Sequence, residues 1–457
     1  MGEGTGPDDG PVLFGSAVRG PDSVEPTVFT PAAGSIPESS PTDSEPEPES
    51  TPDPEPSSLA GVLPVRRRAS PVLITGRALL ALVSAAALVA MAVLWARVDR
   101  LQESVNKTDA LEVAQQQAGA PSADDGANDI LVVGSDTRTD LQGHPLSTSV
   151  LKELRTEATD GTLNTDTLIL LRFPRNGGKS YAVSIPRDVY VAVPGSRDEK
   201  INGAFGVTKA RVAQEMRARG EKDREKIERD SDSAGRAVLI QTVQGLTGVR
   251  IDHYAEVTLY GFYLLTKAID GVDVCLNHST SDPDSGADFR KGPQTVRAGD
   301  AVAFVRQRKN LPRGDLDRIV RQQTFLSSAM NKVVSGGMLT DSGRLDALND
   351  AVSKTVVMDP GLHFLDLVKQ AQALASGQVE FVTIPVVAVG ARNDRGQSII
   401  TVDLPAVKAY IAALVTNSPP PPPPAPTGMP EETPSRLAGP HPLTLNGAKG
   451  FAVPCID

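Results

Sequence analysis

Cysteine and histidine are scarce in this chain, with two Cys and five scattered His in 457 residues. No C-x-x-C or H-E-x-x-H occurs, which excludes a dithiol redox centre and a zinc-protease helix. No G-x-S-x-G turn offers a serine nucleophile of the hydrolase kind. Aromatic residues make up only 4%; none interleave with the basic clusters, so a base-stacking surface for nucleic acid is lacking. Gly177-Gly178-Lys179-Ser180 ends like a phosphate-binding loop, but Phe173 stands where the upstream glycine is required.

What is present is unevenly spread. The segment 1–69 carries 12 acidic residues against four Arg and no Lys, so it holds eight of the ten net negative charges. Rich in Pro, Ser and Glu, it buries too little apolar surface to offset the entropy of ordering and reads as a disordered acidic tail. The acidity of the chain therefore describes a tail and does not argue against anion binding elsewhere.

Ala78 to Ala96 is an unbroken apolar run of 19 residues, interrupted only by Ser84. At the helical rise this spans roughly 28 Å, close to the thickness of a bilayer's hydrocarbon core. A transmembrane helix over 72–96 is expected, rather than a cleaved signal peptide, because a long segment precedes it and no clear cleavage site follows. Arg66, Arg67, Arg68 and Arg77 precede the run, so the N-terminus is placed in the cytoplasm and the later residues outside a single-pass cell-membrane protein. Residues 97–117 read as a helical stalk, followed by a flexible linker to Asn128. A folded domain is expected over 129–415, and a proline-rich C-terminal tail over 416–457.

Asp129–Gly134, Thr167–Phe173 and Ser180–Ile185 read as strands, and the short turn Pro174–Lys179 makes the last two an antiparallel hairpin. His253–Leu259, Tyr260–Ile269 and Val272–Leu276 read as strand, helix, strand, which indicates an α/β layer structure. Thr208–Arg236 is a charged helical stretch, and further helices are expected at Asp315–Val334, Leu345–Val352 and Leu362–Ala375. His253, within an alternating strand, reads as a packed residue.

The hairpin brings chemistry together. In an antiparallel pair the start of one strand lies beside the end of the other, so Asp166, Arg187 and Asp188 should meet at one sheet edge. Asp136 and Arg138 follow another strand end. Two carboxylates there suit a hard divalent cation that also takes phosphate oxygens; the alternative is that these are turn residues. Arg306, Arg308, Arg313, Arg318 and Arg321 form a second constellation within sixteen residues. If Val302–Arg308 is extended, Arg306 and Arg308 share a face, and Arg318 shares a helix face with Gln322, one turn after Asp315. Guanidinium forks match phosphate oxygens; the alternative is a solvated basic face. Cys275 and Cys455, placed outside the membrane, either form a disulfide that pins the tail to the domain or remain free thiols.

The succession Gly134-Ser135-Asp136-Thr137-Arg138, Asn164-Thr165-Asp166-Thr167, Ser184-Ile185-Pro186-Arg187-Asp188, Lys200-Ile201-Asn202, Val305-Arg306-Gln307-Arg308 and Gly314-Asp315-Leu316-Asp317-Arg318-Ile319-Val320-Arg321-Gln322 resembles the LytR-CpsA-Psr domain, of actinobacterial type, over about 129–335 with a looser tail to about 415. The resemblance implies a three-layer α/β/α sandwich around a mixed central sheet, with a groove for a polyprenyl chain. It implies that Asp136 and Asp166 bind Mg²⁺ or Mn²⁺. The diphosphate would be held by Arg138, Arg187, Asp188, Lys200, Asn202, Arg306, Arg308, Asp315, Arg318, Arg321 and Gln322. Asp136, Arg187, Arg306, Arg308 and Arg318 would take catalytic roles, with Asp136 or Asp188 as the base. Many members carry Arg where this chain has Asn164, and Arg138 is the candidate to replace that charge. The implied reaction moves a glycopolymer as glycosyl-phosphate from a polyprenyl-diphosphate carrier to a peptidoglycan sugar hydroxyl. The competing readings are polyprenyl-diphosphate hydrolysis and a non-catalytic regulator that binds envelope polymer.

Overall fold

The computed structural model describes residues 79–89, isolated positions between 91 and 103, and then 105–123, 125–156, 163–335, 342–363, 379–416 and 453–457. The acidic tail, the proline-rich run and the helix expected over Leu362–Ala375 lie wholly or mostly outside them. The apolar run Ala78–Ala96 falls only partly within: residues 79–89 are helical, with Leu79, Leu80, Leu82 and Leu88 exposed. Among the described residues no helix is long and apolar enough to cross a membrane.

In chain order the main elements are β1 (Asn106–Lys107), α1 (Ala110–Gln115), β2 (Ala127–Asp136), β3 (Asn164–Pro174), β4 (Ser180–Ser184), α2 (Ala204–Ala218), α3 (Arg224–Thr247), β5 (His253–Thr258) and α4 (Leu259–Ala268). There follow β6 (Val272–Leu276), β7 (Gly292–Val296), α5 (Gly299–Arg306), α6 (Asp315–Ser335), α7 (Ser342–Thr355), β8 (Val356–Met358), β9 (Val379–Thr383), α8 (Leu404–Val415) and β10 (Cys455–Ile456).

Seven strands form one mixed sheet in the order β1-β8-β5-β2-β3-β4-β9. β2–β3 and β3–β4 are antiparallel, whereas β5–β2 and β4–β9 are parallel. The central strands are apolar on both faces, as strands covered on both sides must be. Leu168 and Leu170 point into a core shared with α1, α3 and α8. Ile169 and Leu171 point into a second core with Phe304 of α5, Phe325 of α6 and Leu348 of α7. Helices therefore cover both faces of the sheet.

Two expectations change. The region between 105 and 116 is not a free stalk: Asn106–Lys107 pairs with β8 at the sheet edge, and Ala110, Leu111 and Ala114 are buried in the α3-side core. The folded domain therefore starts upstream of 129. The charged stretch Thr208–Arg236 is two helices, α2 and α3, whose close crossing depends on Gly235; a Cβ there would lie 2.1 Å from the Phe205 ring. Asp223 caps α3 through the Lys226 N–H, and Gly248 ends it in the left-handed conformation, φ 77°.

At the far end of the sheet Arg172, 1% exposed, pairs with Asp129 at 2.8 Å and Asp125 at 3.0 Å. Burial pushes the Asp129 carboxyl up to about 8; Arg172 opposes this, while Asp125 and Asp252 add to it. The folded protein thus keeps a proton that the unfolded chain has lost between pH 3.8 and about 8, and stability falls as pH rises through that window. Melting temperatures across it should show this fall, flattened in Asp129→Asn; an identical profile in the variant removes the assignment.

Cys275 and Cys455 form a disulfide across 180 residues, and Cys455–Ile456 adds to β6 as a parallel strand. Loss of such a bridge typically costs about 2–5 kcal/mol. Cys455→Ser is expected to lower the melting temperature, and reductant to do the same to the native chain but not to the variant.

Candidate active site

The site is built where β2, β3 and β4 end or begin. Ile169 of β3 pairs with Ser184 of β4, so in antiparallel register Asp166, three residues before Ile169, faces Arg187, three residues after Ser184. Arg187 Nη1 donates to Asp166 Oδ1 at 2.8 Å. On the other side of β3, Asp136 of β2 pairs with Asn164 and accepts from Arg138 Nη2 at 3.0 Å. Asp188 holds the Lys200 ammonium at 2.9 Å, and the main-chain N–H of Asn202 donates to the Arg187 carbonyl at 3.2 Å.

The segment joining α5 to α6 supplies the rest. Asp315, in the first turn of α6, is a hub: its Oδ1 lies 2.8 Å from Arg318 Nη2, 3.7 Å from Arg187 Nε and 3.7 Å from Arg308 Nε. Arg306 influences Asp136, Asp166 and Arg138 electrostatically. Gln322 donates to the Val305 carbonyl at 3.2 Å. Arg306 ends a helix rather than lying in an extended run, so it and Arg308 reach the cluster because the chain breaks at Gln307, not through a two-residue period.

Arg321, expected among the diphosphate ligands, does not join the cluster. It is 1% exposed, stacks over Phe304 at 5.0 Å and donates to Gln307 and to the main-chain oxygen of Asp457; these contacts turn it away from the cluster and into the core. Arg313 also leaves the constellation, closing on Asp317 at 2.7 Å. A buried support beneath Asp136 carries no local signature: the neighbouring Ser135 hydroxyl donates to Glu256 at 2.7 Å, and Glu256 also accepts from Arg236 and Tyr254. These residues come from separate elements and form no local motif.

The electrostatics suit an anion. Six cations, Arg138, Arg187, Lys200, Arg306, Arg308 and Arg318, meet four carboxylates, Asp136, Asp166, Asp188 and Asp315. Burial pushes Asp166 up, but Arg187 and then Arg318 outweigh it and hold the carboxyl below its ordinary value. Asp136 is raised by burial, against the pull of Arg138 and Arg306. Burial brings the Arg318 guanidinium down to about 10. Asp136 Oδ1, Arg138 Nη1, Arg187 Nε, Arg306 Nη1, Arg318 Nε and both Asp315 oxygens are buried without a hydrogen-bond partner. Asp315 Oδ1 and Arg187 Nε keep ion-pair contacts, but a buried polar atom with no partner costs about 1–3 kcal/mol, so this concentration in one cluster marks a place prepared for a charged, oxygen-rich ligand. Among the described residues no three metal-ligating side chains converge. Asp136 keeps one oxygen without a hydrogen-bond partner and lies within electrostatic reach of Asp166, an oxygen donor pair of the kind that suits Mg²⁺ where phosphate oxygens are also supplied.

The LytR_cpsA_psr family model matches residues 96–414. The chain belongs to this family. It is 46% identical over 289 residues to cell wall biosynthesis protein LcpA of Corynebacterium glutamicum, covering 63% of this chain and 56% of that protein. It is 33% identical over 204 residues to polyisoprenyl-teichoic acid–peptidoglycan teichoic acid transferase TagU of Oceanobacillus iheyensis, covering 44% of this chain and 56% of that protein. The matched region therefore spans little more than half of each relative. The structure of Bacillus subtilis TagV is 20% identical, with a TM-score of 0.43, covering 64% of this chain and 98% of that one.

Inorganic pyrophosphate is expected to raise the melting temperature of the protein, as any ligand taken up by the folded site alone does. Arg308, half exposed at 50%, can be replaced by Ala with little change in the ligand-free melting temperature. Arg308→Ala should lose most of the pyrophosphate shift; an undiminished shift would remove Arg308 from the site.

Proposed function

We propose that this protein is a membrane-anchored phosphotransferase. It moves a glycopolymer as glycosyl-phosphate from a polyprenyl-diphosphate carrier to a peptidoglycan sugar hydroxyl outside the cell. The observation that carries this reading is the cluster of guanidinium and carboxylate groups around Asp136, Asp166 and Asp315 that keeps several buried atoms without a hydrogen bond. The names of its relatives, a cell wall biosynthesis protein and a teichoic acid transferase, support the same substrate class.

The acceptor hydroxyl oxygen forms a bond to the phosphorus that carries the glycan, and the bond from that phosphorus to the bridging oxygen breaks. Polyprenyl phosphate leaves, and the hydroxyl proton passes to a carboxylate, Asp136 or Asp188. Phosphoryl transfer needs chiefly positioning and neutralisation of oxygen charge. Arg187 and Arg318, fixed by Asp166 and Asp315, supply planar donors to the leaving phosphate, while Arg306, Arg308 and Arg138 take the remaining oxygens. Asp136 and Asp166 would hold Mg²⁺, which contributes further neutralisation of the diphosphate. Because the energy lies in the bond already present, no external nucleotide is required. The apolar run Ala78–Ala96, read as a transmembrane anchor, keeps the site near a lipid-borne donor.

The test uses the full-length chain in detergent with a polyprenyl-diphosphate-linked glycan and peptidoglycan fragments, with products read by mass. Arg187→Ala should reduce transfer by about 100-fold or more, the scale set by losing one preorganised charge-stabilising donor, and EDTA should stop it. Release of free glycosyl phosphate without acceptor product would favour hydrolysis instead, and binding without turnover would favour a regulator.

A further inference from the structure

The guanidinium groups of Arg306 and Arg308 flank a residue that never reaches the site. Gln307 is fully buried, at 0% exposure, in an extended conformation, φ −56°, ψ 135°, at the C-cap of α5. Its amide donates to Thr280 Oγ1 at 2.5 Å and to the Lys309 carbonyl at 3.0 Å. Its oxygen accepts from Arg321 Nη1 at 2.7 Å. On the same stretch the Asp282 carboxylate accepts the main-chain N–H groups of Arg308 and Lys309, at 3.1 and 3.2 Å. Arg321 is held in turn by the Asp457 main-chain oxygen at 2.9 Å and by the Phe304 ring.

A guanidinium buried among Phe304 and its neighbours is costly, and an apolar side chain of similar volume would pack there more cheaply. The cost falls where two mobile, charged side chains must be aimed. We propose that Gln307, Arg321 and Asp282 are positioning residues: a buried clamp that fixes the backbone of 307–309 and so directs the Arg306 and Arg308 guanidinium groups at the donor's diphosphate. The clamp rests on the proposed reading of the site. It ties diphosphate recognition to the strand Thr280–Asp282 and to the disulfide-bound segment ending at Asp457.

The test is a double-mutant cycle on the full-length protein, with farnesyl diphosphate as the probe, affinity read by calorimetry and melting temperature recorded in parallel. Arg321→Met keeps the stem against Phe304 but unties Gln307. Loss of a hydrogen bond to a charged group should weaken farnesyl diphosphate binding by about tenfold. In an Arg308→Ala background the same substitution should cost less than about threefold, because part of what the clamp aims is already gone. An equal loss in both backgrounds, or none in the native one, overturns the clamp. Thr280→Val removes one strut without disturbing a buried charge; if Arg321→Met does not fold, the same cycle with Thr280→Val decides by the same criterion. Failure of the native protein to bind farnesyl diphosphate sinks the reading of the site itself, a result distinct from a failure of coupling between the variants.

Discussion

The structure depends on interleaving like charges that would otherwise repel. Arg187, Arg308 and Arg318 approach one another only because the Asp315 carboxylate stands among them, while Asp166 holds Arg187 from the other side. In a partly desolvated setting the repulsion of three guanidinium groups is large, so the carboxylates are as necessary to the site as the cations. The result is a preorganised array with spare donors, which avoids much of the reorganisation that water would have to undergo around an anionic ligand. Acid and base are assembled from four separate stretches of chain, and the sheet supplies the common frame.

That frame accounts for what the sequence revealed. The turn Pro174–Lys179 between two apolar runs determines a hairpin, and the hairpin determines that Asp166 meets Arg187. Both follow from local chemistry plus the geometry of an antiparallel pair. The strand–helix–strand succession β5–α4–β6 was equally legible, because an alternating strand gives way to a helical pattern closed by Asp270-Gly271.

What stayed hidden was decided by partners far away in sequence. Arg321 lies one position before Gln322 in α6, and helical periodicity alone cannot say that it turns toward Gln307 and the main chain of Asp457 rather than toward the cluster around Asp315. Asn106 and Lys107 form too short a strand to show any alternation, and their place at the sheet edge is set by β8, some 250 residues on. The helical state of Arg306 was missed because the apolar run before it, Val302–Val305, is short, a pattern that strand and buried helix share. In each case the local signal was ambiguous and tertiary contacts chose.

The disulfide also has a consequence in time. Cys275 is made 180 residues before Cys455, an interval of roughly 10–35 s at ordinary rates of chain elongation. Throughout it β6, paired on one side with β7, lacks Cys455–Ile456 on its other edge, and its thiol has no mate. The nascent domain must therefore emerge with one flank of β6 open, and that seam closes only once Cys455–Ile456 has been made and can lie down beside it.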